Sequence, residues 1–277
     1  MTQKLFFLVS SVIISGCSLV SGCSLDSKYF SPKKTESYVL GYQIIPESSV
    51  EELSFSSQGE TLYGVLVKSS SPTRRPTLIY HQGYDKNIDN FWSRIEYIYP
   101  LDYNIFIYDY QGFGKSTGSP TLNAVKLNAQ SAWDYLLSRS DINTQEIHSY
   151  GYSMGGVFAS HVAANHQKPK SLILEATPAS TKALIKSTIL VPLPPSFLFN
   201  ESFDTVSDVS AANVDVLMLY SQADHRVHFG NNAIPMYQAT TRLEKFEVET
   251  ALHRDIPTNQ GLDRYREVLG NFISAHP

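Results

Sequence analysis

The tightest constraint on this chain is one pentapeptide, Gly151–Tyr152–Ser153–Met154–Gly155. It joins a strand-like run, Ile147–His148–Ser149–Tyr150, to a helix-like apolar run from Val157 to Ala163. Small residues two before and two after the serine let the backbone turn sharply enough to lift the hydroxyl out of the sheet. The N–H of Met154 then opens a helix, where it can help to hold an oxyanion. A serine so placed is a candidate nucleophile, and the rest of the chain must supply a base, an acid and a second oxyanion donor.

At 277 residues, with 42% hydrophobic and 12% aromatic residues, the chain fits one large α/β domain or two small ones. A net charge of −4 without a basic run argues against a nucleic-acid partner. The eight His are scattered and only two Cys exist, so no metal-ligand cluster is visible.

Both cysteines lie near the start. Lys4 precedes the apolar runs Leu5–Val9 and Val12–Ile14, and Ser15–Gly16–Cys17 follows. A charged start, a short apolar core and a small-residue exit describe a secretory signal peptide, too short to span a bilayer. Ile14–Ser15–Gly16–Cys17 resembles the lipobox of bacterial lipoproteins, in which the Cys is lipidated and becomes the mature N-terminus. Val20–Ser21–Gly22–Cys23 matches nearly as well, but Cys17 lies closer to the apolar core and is favoured. A simple export signal with a Cys17–Cys23 disulfide is the alternative. The expected layout is a signal peptide over residues 1–16, a lipidated N-terminus and tether over 17–48, and a catalytic domain over 49–277. The membrane is then a partner through the lipid anchor. Ser18 after the Cys, rather than Asp, points to the outer membrane if the source has one.

Along the chain, Glu51–Phe55 and Thr61–Val67 flank a turn at Gly59 and predict an antiparallel hairpin. Short apolar runs follow at Thr77–Tyr80, Ile105–Tyr108, Ser171–Glu175, Asp215–Tyr220 and Phe246–Glu249, and read as buried strands. Helical spacing appears over Asn87–Pro100, Thr121–Arg139, Thr181–Val191 and about Asn259–Ser274. Pro192, Pro194 and Pro195 stop the third of these. Gly112, Gly114 and Gly118 fit neither a P-loop nor a dinucleotide fingerprint.

A serine hydroxyl needs a neutral imidazole to take its proton and a carboxylate to fix and stabilise that imidazole. Ser153, Asp224 and His253 each sit just past an apolar run, which brings all three to one edge of a parallel sheet. Glu175 and Asp255 are rivals for the acid, and His225 and His228 for the base. Asp255 is too near His253 along the chain to orient it from the sheet edge. The two other histidines share the loop of Asp224 and read as rim residues.

The run Tyr108–Asp109–Tyr110–Gln111–Gly112–Phe113–Gly114–Lys115–Ser116, with the elbow, resembles the α/β-hydrolase family over roughly residues 50–275. It lies near the serine-aminopeptidase-like and acyl-thioesterase-like branch. The resemblance implies an α/β fold with a mostly parallel eight-stranded sheet, helices on both faces and a small cap at about 176–214. It implies the chain order Ser153, Asp224, His253 for the triad. It also places the second oxyanion donor in the turn His81–Gln82–Gly83–Tyr84, where the extra Gln82 leaves Gly83 and Tyr84 as alternatives and Tyr84 is favoured. Asp109 is then a structural residue, and His81 has a hydrogen-bonding role to the loop backbone. The implied activity is hydrolysis of a carboxylic ester of a small acyl substrate, without a cofactor. A peptidase or thioesterase with the same triad, an acyltransferase, and a non-catalytic binding lipoprotein are the alternatives.

Overall fold

The structure, a computed structural model, describes residues 30–71, 75–188 and 201–277. The expected signal peptide, Cys17 and Cys23, and the proline-rich centre of the expected cap lie outside these residues.

Alternation of apolar side chains builds the sheet. Leu78 and Tyr80 face one side and Ile79 the other; Ile105 and Ile107 oppose Phe106, and Leu217 and Leu219 oppose Val216 and Met218. The resulting eight strands are β2 (Val50–Ser57), β3 (Glu60–Val67), β4 (Thr77–His81), β6 (Asn104–Tyr108), β7 (Ile147–Tyr152), β8 (Ser171–Glu175), β9 (Asp215–Ser221) and β10 (Leu243–Val248). They run in the order β10-β9-β8-β7-β4-β6-β3-β2. The hairpin β2–β3 is antiparallel, β3 is antiparallel to β6, and every other pairing is parallel. A separate two-stranded pair joins β1 (Ser31–Pro32) to β5 (Asp85–Lys86).

Helices cover both faces, as expected for a sheet whose strands are apolar on both sides. On one face, α1 (Ile88–Ile98) and α8 (Leu262–Ser274) bury Phe91, Trp92, Ile95, Tyr265, Leu269 and Phe272. On the other, α2 (Leu122–Ser138) and α3 (Met154–Asn165) bury Trp133, Leu136, Val157 and Phe158. The hydroxyl of Thr121 accepts from the N–H of Ala124 at 3.1 Å and fixes where α2 begins.

Between β8 and β9 lie α4 (Thr181–Thr188) and α5 (Thr205–Ala212). Neither α5 nor α6 (Phe229–Ala239), which holds Pro235 inside it, is expected from the sequence. Both pack Val209, Ala212, Ala233 and Met236 beneath β8 and β9. The helix expected at about Asn259–Ser274 is α8, which begins at Leu262 after Gly261 at φ +89°, and a single further turn, α7 (Ile256–Asn259), precedes it. The stretch read as a tether is bound to the domain from Phe30 onward: Phe30 and Ile45 are buried, and the side chain of Glu96 accepts from the backbone N–H of Gln43 at 2.6 Å.

Candidate active site

The turn from β7 into α3 places Ser153 at φ +53°, ψ −124°, a strained conformation for a residue with a side chain. Its surroundings enforce it. The N–H of Ser153 donates to the Glu175 carbonyl at 2.8 Å, and its own carbonyl accepts from the N–H of Gly156 at 3.0 Å. A Cβ on Gly155 would stand 1.9 Å from the His81 carbonyl oxygen, so only glycine lets α3 approach the end of β4 this closely.

The other two members arrive on loops after β9 and β10. His253 Nε2 lies 3.0 Å from Ser153 Oγ, and His253 Nδ1 lies 2.7 Å from Asp224 Oδ2. The second oxygen of Asp224 accepts the N–H groups of Arg226 and Val227 at 2.8 and 3.0 Å. With the carboxylate against Nδ1, the proton belongs there, and Nε2 presents its lone pair to the serine. All three residues are buried. Burial pushes the Asp224 carboxyl up, but the His253 imidazole and the two N–H groups outweigh it and hold the acid below its ordinary value. The hydroxyl of Ser221 donates to the Ala251 carbonyl at 2.6 Å and ties the acid loop to the histidine loop.

The rivals sit elsewhere. His225, His228 and Asp255 are exposed. Glu175 is buried at the end of β8, but both its oxygens take Nη1 of Arg94 at 2.8 Å, and the hydroxyl of Tyr150 donates to it as well. Arg94 is the site residue that the sequence reading missed. Its Nη2 donates to the Arg254 carbonyl at 2.8 Å, and its guanidinium lies 3.8 Å from the centre of the Tyr152 ring. Burial disfavours its charge, but Glu175 outweighs that and keeps it protonated. The available signal was an arginine at helical spacing within the apolar face Phe91, Trp92, Ile95, Ile98.

His81 is fully buried, and its ring bonds are to side chains rather than to the loop backbone: Nδ1 to the hydroxyl of Tyr108 at 2.7 Å and Nε2 to that of Ser149 at 3.1 Å. Burial pushes its pKa down to about 3, so it is a neutral structural residue. Asp109 braces loops. It accepts from Gln82 Nε2 at 2.7 Å, the Tyr38 hydroxyl at 2.7 Å and the N–H of Ile88 at 3.1 Å. Burial drives it up to about 7, with these three hydrogen bonds opposing. A Cβ on Gly114, at φ +47°, would stand 1.8 Å from Asp109 Oδ2, which accounts for that glycine.

A family model for the alpha/beta hydrolase fold matches residues 76–252. The chain belongs to the α/β-hydrolase family. YfhR of Escherichia coli O157:H7, an uncharacterized protein, is 27% identical over 233 residues, 81% of each chain. Bem46 of Schizosaccharomyces pombe is 36% identical over 126 residues, 44% of this chain and 41% of its own. Among solved structures, an esterase from Pyrococcus furiosus superposes with a TM-score of 0.70 at 17% identity, covering 90% of this chain and 98% of its own. Est1E from Butyrivibrio proteoclasticus, with ferulic acid bound, gives 0.67 at 15% identity over 81% and 98%. At these identities the structural likeness speaks for the fold.

Proposed function

We propose that this protein is a serine hydrolase that cleaves a carboxylic ester through an acyl-enzyme. The observation that carries the reading is the unbroken chain of hydrogen bonds from Ser153 Oγ through the His253 ring to Asp224. Ser153 attacks the acyl carbonyl as His253 Nε2 takes its proton, and the proton passes to the leaving alkoxide. Water then repeats the sequence and releases the acid, with Asp224 stabilising the imidazolium at each step. Met154, as the first residue of α3, has an N–H without an intrahelical acceptor and serves as one oxyanion donor. Tyr84 supplies the other. The hydrolase family supports a hydrolytic reaction, and the esterases among the fold neighbours make a carboxylic ester the first bond to test.

The test is a chain-length series of p-nitrophenyl esters beside a set of aminoacyl amides. Turnover of short or medium esters, abolished in Ser153→Ala, is the expected result; amide cleavage without ester cleavage would make the protein a peptidase. The lipid anchor at Cys17 is proposed on the sequence alone. Metabolic labelling with palmitate, lost in Cys17→Ser and kept in Cys23→Ser, is the expected outcome. Among the described residues, no helix is long and apolar enough to cross a membrane.

A further inference from the structure

The turn that carries the second oxyanion donor is gripped by a part of the chain that precedes the α/β order. Strand β1 runs parallel to β5, and the N–H of Ser31 donates to the Tyr84 carbonyl at 3.1 Å. The N–H of Lys33 donates to the Lys86 carbonyl at 3.1 Å. The arm continues onto the loop that follows β6: the Lys33 carbonyl accepts from the N–H of Gly114 at 3.0 Å, and the N–H of Thr35 donates to the Gly114 carbonyl at 3.1 Å. Tyr38 then reaches Asp109, whose other oxygen holds the Gln82 side chain. Phe30 anchors the start, buried with its ring 6.1 Å from that of Phe113 and 6.5 Å from that of Phe158.

These contacts bear on one peptide plane. The Gln82 carbonyl accepts from the Tyr110 hydroxyl at 2.6 Å, and the Tyr84 carbonyl accepts from Ser31. The peptide between Gly83 and Tyr84, which carries the Tyr84 N–H, is therefore bracketed by two fixed neighbours. Gly83 has no side chain to hold that plane, so without the Ser31 bond the turn has an easy flip available. A flip would aim a carbonyl, rather than an N–H, at the developing negative charge. An oxyanion donor works only when it is already in place.

We propose that the arm Phe30–Tyr38 is a positioning element for the oxyanion turn, its Ser31 N–H locking the Tyr84 carbonyl so that the turn's own N–H faces Ser153. The inference rests on the serine-hydrolase reading. Ser31→Pro, in the full chain, removes that N–H and nothing from the triad. The expected result is a fall in kcat of roughly 10- to 100-fold at nearly unchanged KM, per active site titrated with a fluorophosphonate. Ser31→Ala, which keeps the N–H, restores kcat. Tyr38→Phe gives a smaller fall in the same direction, and it decides the matter if Ser31→Pro does not fold. Wild-type kcat per titrated site in folded Ser31→Pro, or in Tyr38→Phe where the first is unfolded, overturns the proposal, as does a change confined to KM. Wild-type protein that neither turns over esters nor labels at Ser153 overturns the hydrolase reading itself.

Discussion

Two buried carboxylates stand at neighbouring strand ends, and their partners give them opposite work. Asp224, after β9, faces an imidazole and two backbone N–H groups. Glu175, ending β8, faces a guanidinium and a phenol, and its backbone carbonyl holds the N–H of Ser153. An imidazole can pass a proton between partners, whereas a guanidinium keeps its own. In the proposed mechanism Asp224 therefore sits behind a group that cycles, and Glu175 behind one that only holds. Position at the sheet edge makes a carboxylate a candidate; its partner decides what it does.

The largest expected effect comes from the acid. Asp224→Asn keeps the volume but removes the charge that fixes the His253 tautomer, so ester kcat falls by about 10⁴-fold, an effect far larger than the accompanying loss of stability. Glu175→Gln acts on stability instead. It leaves Arg94 buried without its counter-charge and costs about 3–5 kcal/mol of stability in a denaturant titration, while kcat of the folded fraction stays within about tenfold. If Glu175→Gln loses activity as Asp224→Asn does, the two carboxylates share the catalytic role and the distinction fails.

Asp109 is a third buried carboxylate, and it faces no cation among its three hydrogen-bond donors. Its folded pKa of about 7 lies above the ordinary carboxylate value, so the native state holds a proton that the unfolded chain has lost. Its contribution to stability is thus present at low pH and lost as the pH rises from about 4 to about 7. Asp224, held low, has the opposite sign: its contribution is lost as the pH falls through its folded value. Asp109→Asn should flatten the stability decline between about pH 4 and pH 7 in denaturant titrations at fixed ionic strength. An unchanged slope would contradict the assignment. The smallest effect belongs to the exposed histidines of the acid loop: His225→Ala and His228→Ala should each leave kcat within about twofold.

The parts of the site that were legible in the sequence are those built by short apolar runs. β4, β6, β8 and β9 are largely apolar segments, β7 is marked by the glycine–serine turn that ends it, and Ser153, Asp224 and His253 lie just beyond the ends of β7, β9 and β10, so strand ends and loop residues could be read together. The Arg94–Glu175 pair was not, because its partners lie 81 residues apart and an arginine on an apolar helix face does not name its partner. Helix α6 escaped because Pro235 interrupts its pattern. The arm over Phe30–Tyr38 read as tether because backbone hydrogen bonds and a few single side chains hold it, and neither leaves a periodic signal.

The proposed role of Ser153, a nucleophile served by His253, can be checked by covalent labelling. A fluorophosphonate reacted with the folded protein, followed by peptide mapping by mass spectrometry, tests it most directly. One adduct is expected, on the peptide containing Ser153, lost in Ser153→Ala and strongly slowed in His253→Ala. Folded protein that takes no adduct, or takes it on another residue, would contradict it.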